Sequence, residues 1–378
     1  MSHPLIELGS GQKLLLEFDL LDNSYEILYY SFVHCNKDWE NSELFASDFL
    51  EGFPENPIDD YKKSFNTATD YFHYSLSFPN QDAKLTRSGN YIIIVHRQGE
   101  PDKPLLTLRF MINEALAGIS ANIFKSTMGQ FRDTHQQIVA TVSLGRIRVT
   151  DPHNEIYTTI IQNGRWDNAK TNLKADFISA AELRYTALSE KTLFQGGNEF
   201  RQFDIRSLRY QSEFVRDITF DGTMQNVNLS PSESREYKPY FFRNDFNGKY
   251  VIDVQEGKDP AVDADYAKVY FTLPTLQPAI GGNIYITGEM TLWKPVHESM
   301  MTYNQEKSAY EGSLIVKQGW YNYEFAFVPD KPGIEERRYF EGSHFETENE
   351  YLVLVYYKSR SGRYDRLIGA LIVKSQAA

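Results

Sequence analysis

Phe72-His73-Tyr74-Ser75-Leu76-Ser77-Phe78 places a large apolar residue at every second position, with His73, Ser75 and Ser77 between them. Successive side chains of an extended strand point to opposite faces, so this pattern buries one face of a sheet and leaves the other polar. The same alternation returns at Leu106, Leu108, Phe110 and Ile112 against Thr107, Arg109 and Asn113. Between these two lies Tyr91-Ile92-Ile93-Ile94-Val95, a continuous apolar run of the kind a central strand carries.

Working outward, a second block of strand signals follows the stretch Glu114 to Gly118. It comprises the alternating Ile138, Ala140, Val142 and Leu144, then Glu155 to Ile161, Arg201 to Tyr210, Lys249 to Val254 and Tyr266 to Leu273. Ala175 to Leu188 is the best helical candidate, though its apolar spacing suits a loop and strand equally. Leu273-Pro274-Thr275-Leu276-Gln277-Pro278-Ala279-Ile280-Gly281-Gly282 combines two prolines with a glycine pair and reads as a linker. Beyond it, five short strands between Ile284 and Val373 have the density of an immunoglobulin-like sandwich. The expected architecture is all-β, with three consecutive sandwich-like domains at 1–115, 116–274 and 275–378.

Composition agrees. The chain of 378 residues has 25 Tyr, 25 Phe and 4 Trp, residues that suit a pleated, half-buried surface. Its 51 acidic against 39 basic residues leave a net charge of −12, which opposes attraction to nucleic acid or anionic lipid. No apolar run reaches the roughly 18 residues of a membrane helix. The opening Met1-Ser2-His3-Pro4 lacks the basic and apolar regions of a secretory signal, so either the protein stays in the cytoplasm or this is a mature form.

Chemistry is sparse. Cys35 is the single cysteine, which excludes an internal disulfide and a cysteine-based zinc cage. The eight histidines show no i,i+4 pair of a zinc-protease motif. His34 and Cys35 are adjacent on a strand and point to opposite faces, so they read as a buried structural pair, not as base and nucleophile. Gly9-Ser10-Gly11-Gln12-Lys13 lacks the spacing of a phosphate loop and reads as a turn. The acidic run from Glu341 to Glu350 reads as a solvated loop, with a weak cation site as the alternative. No cofactor and no metal are expected.

Certain motifs carry a resemblance to a known family. Tyr30 to Trp39, Glu51-Gly52-Phe53, Ile58-Asp59-Asp60-Tyr61, Ser64-Phe65-Asn66-Thr67 and Ser88-Gly89-Asn90-Tyr91 resemble the N-terminal domain of the plug proteins of the bacterial type IX secretion system. Asn163-Gly164-Arg165-Trp166-Asp167-Asn168, Gly196-Gly197-Asn198-Glu199-Phe200-Arg201, Asn244 to Gly248 and Tyr364 to Gly369 are similar to later parts of the same family. The resemblance implies a non-catalytic periplasmic protein that binds and occludes the periplasmic mouth of a giant outer-membrane β-barrel translocon. A monomer when free, with no nucleic-acid partner and no direct membrane insertion, is expected alongside it. Reaching the periplasm needs a signal that is missing here, so the resemblance implies a processed chain.

Asp38, Trp39, Trp166, Asp167, Asn198, Glu199, Phe200 and Arg201 are the interaction candidates, either as interface contacts or as structural locks. The last block is similar in pattern to the early-set immunoglobulin-like domains of glycogen-binding modules. That likeness makes Trp293 and Trp320 candidates for sugar stacking, in an alternative reading as a carbohydrate-binding accessory protein.

Overall fold

Strand pairing divides the protein into three β-sandwich-like units whose course along the chain is interleaved. The computed structural model describes residues 3–22, 24–145, 147–179, 181–331 and 338–375. In the first unit a five-stranded sheet runs in the order Leu5–Glu7, Pro104–Asn113, Gly89–Arg97, Leu28–Cys35 and Glu55–Pro57. A three-stranded sheet of Leu14–Leu20, Phe72–Phe78 and Asp60–Lys63 covers it. Phe72, Tyr74, Leu76 and Phe78 are all buried, as the alternation requires, and Phe110 stacks on Tyr91 and meets Phe32 and Phe78 edge to face. The apolar run from Tyr91 lies on the central strand.

The second unit packs Gly118–Lys125, His135–Ser143, Glu182–Tyr185 and Phe177–Ile178 against a sheet ordered Lys170–Leu173, Ile156–Gln162, Glu350–Tyr357 and Arg366–Lys374. Among its described residues, Ala175 to Leu188 therefore contributes two short strands and no helix. Tyr351 to Tyr357 is apolar at every position because its sheet is covered on both sides. Tyr351, Val353 and Val355 enter the second core, while Leu352, Leu354 and Tyr356 face a seam that includes Met111 of the first unit.

The third unit sets Val215–Phe220, Gln225–Leu229, Tyr266–Pro274, Ala309–Lys317 and Thr302–Asn304 against the long strand Gly319–Pro329. Arg201–Asp204, Tyr250–Ile252 and Gly282–Thr287 all pair with that long strand.

This pairing corrects the expected division at 274 and 275. Tyr266–Pro274 pairs with Ala309–Lys317 in one unbroken register, and Ile156 pairs with Tyr357 through to Gln162 with Tyr351. The proline-rich stretch after Leu273 is thus a surface loop between strands of one core, with Leu276 and Ile280 in solvent. The units are three but not consecutive: the chain leaves the second near Gln195, builds the third, and returns at Glu350 to complete the second.

Candidate functional site

The predicted loops converge where the three units meet. Trp39 follows the strand Leu28–Cys35 in a turn closed by its N–H donating to the Asn36 carbonyl at 2.9 Å. Its φ of 69° is left-handed, a region that bulky residues rarely occupy. Asp38 beside it is exposed and accepts from the Glu40 N–H. Trp166 follows the turn after Ile156–Gln162, where Asn163 and Gly164 both take positive φ and the Arg165 N–H donates to the Gln162 carbonyl at 3.0 Å. The two indoles meet edge to face at 4.8 Å, and the Arg109 guanidinium lies 4.5 Å over Trp39 and 5.8 Å from Trp166.

Next to Trp166, Arg165 donates to both carboxylate oxygens of Asp167 at 3.3 and 2.6 Å and reaches Glu324 at 3.4 Å. Its guanidinium also sits 4.9 Å over the ring of Trp293. Trp293 is only 8% exposed and packs on Phe200 at 5.7 Å. It fills space that exists because Gly248 has no side chain: a Cβ there would fall 2.1 Å from the indole. Leu292 and Trp293 are both left-handed, with φ of 51° and 59°.

Asn198 to Arg201 form a second, contiguous cluster. Asn198 donates to the Glu341 carbonyl at 2.7 Å, and the Phe200 N–H donates to Asp245. Glu199 is buried and accepts from the Tyr240 hydroxyl and the Glu348 N–H; burial pushes its carboxyl above the usual range. Burial likewise raises Asp245 to about 7, with the charges of Glu199 and Glu348 adding to it and two backbone N–H donors opposing. Arg201 and Arg235 both donate to Glu341. Burial pushes the Glu341 carboxyl up, but the two guanidinium charges overcome it and hold it at about 2.

The acidic run is therefore not a solvated loop. Glu341 is 2% exposed, and Glu350 is buried with His3 at 2.8 Å and Lys249 and Lys374 at 3.4 Å. The hydrogen bond from His3, outweighing burial together with the lysine charges, holds Glu350 at about 2.

Elsewhere, His34 bonds Ser42 at 2.9 Å and the Ser88 carbonyl at 3.0 Å, and burial lowers its pKa. Burial raises the Cys35 thiol to about 11, well out of the reactive range. Among the described residues no group of three or more His, Cys, Asp or Glu could hold a metal ion. Trp320 sits in the long strand between Asp204 and Val251, with Phe246 edge-on at 5.0 Å and Arg206 at 5.2 Å. Both Trp293 and Trp320 thus have ring partners from the protein itself.

Two cavities flank these clusters. One of about 570 Å³ lies between the units and is lined by Arg109, Trp166, Asp167, Trp293 and Lys294, among others. The second, of about 350 Å³, is bordered by Asn198 to Gln202 together with Phe214, Phe241 and Arg243. Arg109, Arg165 and Arg235 are functional-looking residues that sequence reading passed over. Arg109 occupies an ordinary polar position of an alternating strand, and only Arg165, inside the motif Asn163 to Asn168, had a local signal.

A family model described as the type 9 secretion system plug protein first domain matches residues 1–114. The crystal structure of a hypothetical protein from Parabacteroides merdae ATCC 43184 is 34% identical, with a TM-score of 0.95 over 99% of this chain and 94% of that one. No curated protein matches the chain.

Proposed function

The chain belongs to the type IX secretion system plug protein family, and from that premise we propose that it binds the periplasmic side of the outer-membrane β-barrel translocon and occludes it without catalysis. The match of the whole first unit to the plug domain carries this reading. In keeping with it, no helix among the described residues is long and apolar enough to cross a membrane. The third unit we read as the immunoglobulin-like one, and the free protein as a periplasmic monomer.

A wide pore leaks solutes unless a stopper holds one geometry, and units joined only by linkers move relative to one another. Here each pair of units is tied by buried polar contacts. Asp19 of the first unit meets Lys317 at 2.6 Å and Tyr266 at 2.8 Å in the third. The Tyr356 hydroxyl of the second donates to Asn90 of the first at 2.9 Å, and Arg165 reaches Glu324 between second and third. These contacts support a stopper that seals as one body.

In-vivo crosslinking scanned across Asp38, Asp167 and the exposed Phe241, followed by purification from envelope, tests the reading. Recovery of an outer-membrane β-barrel is expected. Recovery of cytoplasmic partners alone, or a protein absent from the periplasmic fraction, would overturn it.

A further inference from the structure

The cavity between the three units has a charge pattern that occlusion does not require. The protein carries a net charge of −12, yet two cations with no carboxylate partner among the described residues, Arg109 and Lys294, line this one space. Neighbouring cations are engaged: Arg165 binds Asp167 and Glu324, and Lys249 binds Glu350. Of the acidic groups in the lining, Asp167 is held by Arg165. Glu289 accepts from the Tyr250 N–H at 3.4 Å, and burial pushes its carboxyl above the usual range. Arg109 and Lys294 are therefore left as cations lining this space with no carboxylate of their own among the described residues.

Its walls add a second kind of recognition. Trp166 and Trp293 line the space on opposite sides of the seam, one from the second unit and one from the third. At about 570 Å³ it falls within the roughly 300–1,000 Å³ of small-molecule sites, which favour domain junctions. The Arg109 guanidinium lies over Trp39, which pre-orients a planar fork suited to carboxylate or phosphate. Trp39, Leu292 and Trp293 are all kept in left-handed backbone conformations around this junction, and such strain concentrates where a geometry has a use beyond folding.

We propose that this cavity binds a small organic anion with a ring: the carboxylate or phosphate pairs with Arg109 and Lys294, and the ring packs on the half-buried Trp166. The site is independent of the plugging role. Ring carboxylates, ring phosphates and aromatic acids share this chemistry, and the probes separate them.

The test is titration of the intact protein with glucuronate, glucose 6-phosphate and indole-3-acetate, read by calorimetry. Tryptophan fluorescence follows the first two probes, since three of the four tryptophans lie at or beside the cavity. At least one probe should saturate with a Kd of about 1 mM or tighter, with glucose or indole at least about tenfold weaker. Arg109→Gln and Lys294→Gln should each weaken binding by about tenfold, and added salt should weaken it further. Should Arg109→Gln fail to fold, Lys294→Gln stands alone, because Lys294 is exposed and its loss leaves packing intact. Absence of saturation by all three anions at about ten times that Kd overturns the proposal. So does binding that the foldable variants leave unchanged, or neutral analogues that bind as tightly.

Discussion

Replacing Glu341 by Gln keeps its shape and removes its charge, and should destabilise the protein severely. Glu341 is 2% exposed and accepts from Arg201 Nε at 2.9 and 3.1 Å, Arg235 Nε at 2.9 Å and the Phe325 N–H at 2.9 Å. Gln cannot neutralise the two guanidinium groups, and the Arg201 side chain is only 10% exposed. A buried charge stripped of its partner typically costs about 3–5 kcal/mol. The titration gives an independent figure. A carboxyl held at about 2 against an ordinary 4.5 corresponds to roughly 3 kcal/mol of stability at neutral pH. Because the folded value is lowered, that contribution is complete above about 4.5 and disappears as pH falls toward 2. Urea unfolding followed by tryptophan fluorescence at pH 7 and pH 3 measures both effects, since midpoint shifts at constant slope report stability. The gap between wild type and Glu341→Gln should be near 3 kcal/mol at pH 7 and smaller at pH 3. A gap under about 1 kcal/mol at pH 7 would refute the reading of Glu341 as the buried charge that holds Arg201 and Arg235.

Three further outcomes follow from the same contacts. Asp19→Asn leaves Lys317, 7% exposed, without its anion, costs about 3–5 kcal/mol and should open the Asp60 to Asp70 segment to limited proteolysis; an unchanged digestion pattern counts against the seam. Gly248→Ala drives a methyl into Trp293 at a φ of 80°, and should cost about 2–4 kcal/mol with a shifted fluorescence maximum; a wild-type melt and spectrum would show that the loop yields freely. Asp245, raised from 3.8 to about 7, stabilises fully below 3.8 and loses that contribution as pH rises through about 7. Melting temperature should therefore fall between pH 5 and 8 in the wild type and fall less in Asp245→Asn, and equal slopes would remove this group from the pH response.

The strands were legible because their signal is local. Phe72 to Phe78 and Tyr91 to Val95 disclose face and depth from spacing alone, and both lie where the spacing puts them. Partners were not legible. Ile156–Gln162 reads as an ordinary apolar strand, and nothing within it specifies that Glu350–Tyr357 lies alongside, since pairing is chosen by complementary faces brought together late. Ion partners were hidden for the same reason: Arg201 and Glu341 are 140 residues apart, so the carboxylates near Glu341 looked like solvated charge. His73 shows the limit of alternation itself. It falls on the polar face of its strand, as expected, but that face is covered and His73 is bonded to Asp19 at 2.7 Å. Of the site, the Trp and acidic loop residues stood out by type, whereas Arg109 has no local mark that sets it apart from Thr107 or Asn113.

The interleaved course bears directly on stiffness. Had the units been consecutive, a single linker would join the third to the second, and the loop from Leu273 to Gly282 would have been its hinge. Instead the chain crosses between them twice, once near Gln195 to Arg201 and again between Glu341 and Glu350, and the two crossings lie against each other. The His344 N–H donates to the Gly197 carbonyl at 2.8 Å, Thr347 donates its hydroxyl to the same oxygen at 2.8 Å, and a Cβ on Gly196 would fall 1.9 Å from the His344 carbonyl oxygen. Rotation about one crossing must therefore shear the other and break these bonds in concert. Glycine at 196 is what allows the two backbones to come so close, so the residue type that usually marks a flexible joint here removes one.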